Sequence, residues 1–213
     1  MARLKKPTNY VEDLCASQDF ETRQIGFLLR RKYRAWTASL KVRDFEVFLN
    51  TIQRYKDKIG PPQFFGKFRA YAFEEYVYRL MKSEILLPKG FDVFWGEGVQ
   101  IWLEKGQSYA MEVDVSIGRR GKHGFIFPLV VVDCKVEVDA SRLKTAIASF
   151  ILLKQFAQGV ECFLLYMRKN VGDLFFQLVR SWINGAYQIS IRNDESESFI
   201  ERLKQVLQNK NLI

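Results

Sequence analysis

Leu129-Val130-Val131-Val132-Asp133-Cys134-Lys135-Val136-Glu137-Val138 is the segment from which the architecture of this chain can be read. Its β-branched density predicts a strand, extended back to Ile126. Side chains on a strand alternate between faces, so Val130, Val132, Cys134, Val136 and Val138 share one side. Leu129, Val131, Asp133, Lys135 and Glu137 share the other. The run Leu129–Val132 is apolar on both sides, as expected of a central strand covered by helices. Charge then begins abruptly, with a carboxylate and an amine as same-face neighbours.

Working backwards, Tyr109 to Ile117 alternates in the same way, with Glu112, Asp114 and Ser116 on its polar face. A basic turn, Arg119 to Gly124, connects the two segments, so antiparallel pairing would bring the carboxylates together. Two carboxylates about 4 Å apart repel by about 4 kcal/mol at an effective dielectric near 20. A shared proton, a lysine or a cation must offset that. An amphipathic hairpin with its polar face in water would show the same alternation, but solvent faces mix Thr, Lys and Glu rather than concentrating carboxylates beside one lysine.

Further out, Phe91–Trp95 and Val99–Leu103 are predicted as two short strands, with Gly96 and Gly98 between them. A helix is predicted from Phe64 to Leu87, closed by Pro88-Lys89-Gly90. After the valine-rich strand come a helix from Ser141 to about Gln158, a strand from Cys162 to Met167 and a helix from Asp173 towards Gly185. A short strand at Tyr187–Ile191 and a C-terminal helix from Ser196 or Ser198 follow. The first sixty residues read as helices, one capped by Asp19 and another from Arg43 to Lys58, and Gly60-Pro61-Pro62 breaks the pattern. The expected organisation is a helical N-terminal extension over 1–60 and an α/β domain over 61–213.

Composition narrows the chemistry. The 33 Lys and Arg outnumber the 24 Asp and Glu, a formal charge of +9 that suits a polyanion such as nucleic acid. Cys15, Cys134 and Cys162 are widely spaced, and His123 is the sole histidine. Zinc frameworks and multi-histidine centres are therefore excluded, and a catalytic metal would be a hard cation such as magnesium or manganese. No apolar run is long enough to span a bilayer, and no secretory signal is visible, so a cytoplasmic protein with no membrane partner is expected.

Asp114, followed after a turn by Asp133-Cys134-Lys135, resembles the signature of the PD-(D/E)XK nuclease superfamily. The likeness runs from Gly66 to Met167, through the helix carrying Phe73-Glu74, three strands, a helix and a fourth strand. Val113 stands where the superfamily often has proline. The resemblance implies an α/β fold with a mixed central sheet flanked by helices, and a magnesium-dependent DNA endonuclease of restriction, junction-resolving or repair type that leaves 5′-phosphates. By the same resemblance Asp114 and Asp133 would hold the metal, with the Cys134 carbonyl and Glu74 as further ligands. Lys135 would orient the attacking water. Glu112 could supplement Asp114, and Glu75 is the weaker helical candidate. Arg119, Arg120, Lys122 and Lys144 are candidate phosphate contacts, as is the run Arg30, Arg31, Lys32 and Arg34 interleaved with Tyr33 and Trp36. Double-stranded DNA and a second copy of the chain are the expected partners. An inactive nucleic-acid-binding subunit, or an RNA-acting nuclease of the same fold, would share these features.

Overall fold

A computed structural model describes residues 5–104, 107–121 and 124–212. Four helices open the chain: α1 (Pro7–Cys15), α2 (Phe20–Ser39), α3 (Val42–Arg54) and α4 (Lys56–Ile59). The Asp19 carboxylate caps α2, accepting from the Thr22 N–H at 2.7 Å. The expected single helix from Arg43 to Lys58 is divided at Tyr55 into α3 and α4. After Gly60-Pro61, α5 (Pro62–Glu84) begins with proline at its first turn, where a missing N–H costs nothing. Its apolar residues surround the axis, and it is buried between α1–α3 and the sheet.

The sheet has the order β1 (Asp92–Glu104), β2 (Gln107–Arg120), β3 (Ile126–Val138), β4 (Glu161–Lys169), β5 (Gly185–Ser190) and β6 (Asn193–Asp194). Strands β1, β2 and β3 are antiparallel, β3, β4 and β5 are parallel, and β6 returns antiparallel. The crossover from β3 to β4 is α6 (Ala140–Phe156), capped by Asp139 rather than opened at Ser141. Helix α7 (Asp173–Val179), a 3-10 turn at Arg180–Trp182 and α8 (Ser196–Asn209) complete the chain. This is the mixed, helix-flanked α/β architecture expected, with the N-terminal region helical.

The two short strands predicted around Gly96 and Gly98 are one continuous β1. Gly96 absorbs the bend with φ of 60°, a conformation that L side chains rarely adopt. That bend carries the outer half of the β1–β2 hairpin over towards α6. Val115 and Ile117 pack in the α5-side core, whereas Val113 packs in the α6-side core. The uniform apolar face predicted for Tyr109–Ile117 therefore changes sides at Asp114.

The α5-side core joins Trp36, Phe45 and Phe48 from the N-terminal helices to Phe73, Tyr76, Val132, Phe163 and Phe199. Phe45 stacks on Tyr76 at 4.5 Å between ring centroids. The α6-side core is smaller, centred on Val131, Ile147, Phe150 and Leu164. Among the described residues no helix is long and apolar enough to cross a membrane.

Candidate active site

Pairing between β2 and β3 proceeds through Ile117↔Val130 and Ser116↔Val131 to Val115↔Val132, and ends there. The next rung would join Asp114 to Asp133, so both carboxylates stand where the strands part. An unpaired strand N–H must find another acceptor. The Asp114 side chain supplies it, with Oδ2 accepting from the Cys134 N–H at 2.8 Å. On the opposite edge β3 stays paired with β4 through Asp133↔Leu164 and Lys135↔Tyr166, which keeps this part of β3 in the sheet after β2 has left it.

Lys135 completes the group. Its Nζ is in close ion pair with Asp133 Oδ1 and lies 3.8 Å from Asp114 Oδ2. The three side chains are about one-fifth exposed. Asp114, Asp133 and Glu112 share a small cavity of about 40 Å³ with Ser149 and Phe150 of α6. That volume suits an ion or a small number of waters.

Burial, and then the charge of Asp114, push the Asp133 carboxyl up to about 6, with Lys135 opposing the shift. Lys135 is itself raised: burial works against its charge, but the Asp133 and Asp114 carboxylates outweigh burial. Burial also lifts the Cys134 thiol well above its ordinary range, and the side chain belongs to the α5-side core. The donors here are therefore oxygen atoms. Magnesium is commonly held by one or two carboxylates, with water and substrate phosphate completing its shell. Two carboxylate side chains beside a small cavity fit that requirement. Among the described residues no group of three or more His, Cys, Asp or Glu side chains is placed to hold a metal ion.

The other sequence candidates are distributed more widely. Glu74 is buried on α5, and its Oε2 accepts from the Trp95 indole N–H at 3.0 Å. Trp95 in turn stands opposite Val115, beside Asp114 in the chain. Glu75 is equally buried but is committed elsewhere, accepting from the Tyr33 hydroxyl at 2.6 Å and from Arg79 at 2.8 Å. Arg119 and Arg120 lie at the far end of the hairpin, five and six residues from Asp114, about 17–20 Å along the strand. Arg119 covers the Phe91 ring at 4.1 Å. Arg120 pairs with Glu97 at 2.7 Å and donates to the Gly124 carbonyl. Lys122 falls outside the described residues, as does His123. Lys144 is exposed on α6, over the ring of Phe175. Tyr33 and Trp36 are core residues, so the aromatics of the Arg30–Arg34 run are not a surface stacking platform. Ser149 and Trp95 are brought here by the fold alone: a serine within a helix and a tryptophan on a strand carry no periodic signal of proximity to Asp114.

No protein-family model matches the chain, and no curated protein matches it. Among solved structures, the native A2B2 tetramer of the restriction endonuclease BbvCI, determined at low resolution, contains a chain with the same architecture. The two share 13% sequence identity at a TM-score of 0.57, over 95% of this chain and 93% of that one. At this identity the likeness concerns backbone architecture. The mixed sheet flanked by helices is therefore a restriction-endonuclease-like fold.

Proposed function

We propose that this protein is a divalent-metal-dependent endonuclease that hydrolyses phosphodiester bonds in double-stranded DNA. The observation that carries this reading is the group formed by Asp114, Asp133 and Lys135 where β2 and β3 part. Similarity to a restriction endonuclease over 95% of the chain supports the same class of chemistry.

Asp114 and Asp133 would hold magnesium or manganese, with the main-chain carbonyl of Cys134 as a further oxygen ligand. When bound, such a cation lowers the pKa of coordinated water and offsets charge at a phosphate. Lys135 stays protonated beside both carboxylates, positioned to orient a water and to balance negative charge on the substrate. The Cys134 N–H fixes Asp114, which restricts the rotamers available to that carboxylate. Glu74 is the further acidic candidate, held by Trp95 on the α5 side. Arg119, Arg120 and Lys122 at the hairpin turn, and Lys144 on α6, are candidate backbone contacts on a duplex that extends beyond the scissile bond. Two copies of the chain would supply two active sites for cleavage of two strands.

The test is cleavage of supercoiled plasmid with magnesium, manganese or EDTA, by wild type and by Asp133→Ala. Metal-dependent nicking or linearisation by the wild type alone, with the variant still folded, supports the assignment. A wild type that binds DNA and cuts no DNA under any metal condition identifies a nucleic-acid-binding subunit instead. Preferential cleavage of an RNA competitor would move the substrate class to RNA.

A further inference from the structure

A second concentration of charge lies past the carboxylates, at the C-terminal ends of the parallel strands. Glu46 and Asn50 of α3, Arg168 and Lys169 of β4, Gln188 of β5, and Arg192 surround a cavity of about 610 Å³. Ligands of open α/β sheets characteristically bind at this end of the strands. Glu46 is the one carboxylate among these lining residues, and its Oε2 accepts from the Ile191 N–H at 2.7 Å. Lys169 is offset by its ion pair with Asp173. Arg168 makes a long contact, 3.4 Å, to the Asn50 side chain.

Arg69 of α5 adds to this charge from the side. Its Nε is buried without a hydrogen-bond partner among the described residues. Burial and then the charge of Arg168 hold its guanidinium below its usual range, with Glu137 opposing the shift and Arg142 adding to it. No ion pair within 4 Å joins Arg69, Arg168 or Arg192 to a carboxylate among the described residues. Cationic groups that line a cavity without a close ion pair are available to an anion that enters it.

The position relative to the candidate active site is specific. Arg168 stands opposite Glu137, one same-face step beyond Lys135, which is about 7 Å along β3. A phosphate held at Lys135 would thus have cationic groups waiting in the direction of the β3–β5 strand ends.

We infer that Arg168 and Arg192, which line this cavity together, form a sequence-independent subsite for the nucleic-acid backbone, gripping phosphates that flank the one to be cut. The subsite rests on the nucleic-acid half of the proposed function and not on its chemistry. Backbone contacts of this kind set affinity and register, and each contributes to the salt dependence of binding.

The experiment is fluorescence anisotropy of a labelled random-sequence duplex in EDTA, over roughly 50–200 mM salt. It compares wild type, Arg168→Gln/Arg192→Gln, the charge-keeping Arg168→Lys/Arg192→Lys, and Lys204→Gln as a charge-loss control on α8. Both arginines are exposed, and a thermal melt establishes that each variant is folded. The glutamine pair should lose on the order of tenfold in affinity at the lower salt, and the log–log salt slope should fall by about 2. The lysine pair should recover most of both, and Lys204→Gln should stay near wild type. Wild-type affinity and slope in the glutamine pair would overturn the subsite, and so would an equal loss in Lys204→Gln. If the glutamine pair fails to fold, single Arg192→Gln is read by the same criteria, with a slope change of about 1. A wild type that binds through these arginines yet never cuts would keep the subsite and remove the nuclease reading. A cutting wild type whose binding ignores them would do the reverse.

Discussion

The two faces of β3 carry opposite solutions to the same backbone problem. On the α5 side Val130, Val132 and Cys134 enter a core filled by rings from α2, α3, α5, β4 and α8. On the α6 side Val131 is core, but the next two positions are Asp133 and Lys135. The first face spends its side chains on stability. The second gives up burial two residues later and holds charges that oppose one another, an arrangement expected of a site selected for binding rather than for folding. The difference teaches where loss of stability and loss of activity should separate.

The largest expected effect comes from removing the helical side altogether. Residues 1–60 contribute Leu29, Trp36, Phe45, Phe48 and Ile52, each fully buried. A fragment starting at Pro61 should therefore fail to fold, read as loss of a cooperative thermal transition and exposure of dye-binding surface. A fragment that melts cooperatively would show that the α/β region is independent of the extension.

Next is Asp133→Ala. It should lower metal-dependent cleavage by on the order of 10³-fold, the scale for losing a principal electrostatic group, while the melting transition persists. Phe163→Ala is the mirror experiment on the other face. Phe163 is fully buried and meets Phe199 edge to face at 5.9 Å, so truncation should cost about 3–5 kcal/mol in denaturant unfolding. Cleavage by the folded fraction should be retained. If either variant moved both readouts equally, the separation of the two faces would fail.

A smaller effect is set by pH. The Asp133 carboxyl rises from 3.8 to about 6 in the folded, metal-free protein, so the folded state holds that proton more tightly than the unfolded one. Its contribution to stability is therefore fully present below about pH 4 and is lost as pH rises through about 6. In EDTA the wild type should lose on the order of 1–3 kcal/mol relative to Asp133→Asn across that window. Urea unfolding at several pH values measures it, and a constant difference would show that Asp133 is not strained by its neighbours. The smallest change is Asp139→Ala, which removes the acceptor for the Arg142 N–H at the start of α6 and should cost about 1 kcal/mol.

Much of this molecule is legible from local pattern. The ends of β3 coincide with the predicted Ile126–Val138, because β-branched density and a flanking turn act within a few residues. The Asp19 cap, the break at Gly60-Pro61-Pro62 and the pairing of the Asp114 strand with β3 follow for the same reason. Alternation on two neighbouring strands is enough to place Asp114, Asp133 and Lys135 in one group.

Other features depend on groups far apart in the chain. Glu74 and Glu75 are adjacent and equally buried, and only the packing of β1 and α2 on α5 gives one to Trp95 and the other to Tyr33 and Arg79. The basic turn is prominent in the sequence, yet Arg120 is engaged by Glu97 from the neighbouring strand. Arg168 and Arg192 are unremarkable where they stand in the sequence, and they line one cavity because the ends of β4 and β5 lie side by side. The amino-acid sequence by itself determined the order of helices and strands, the bounds of β3 and the carboxylate–lysine group, since alternation and capping are short-range. Which charges are neutralised and which are left facing a cavity was decided only by tertiary structure, because Coulomb interactions depend on distances in space that no sequence interval records.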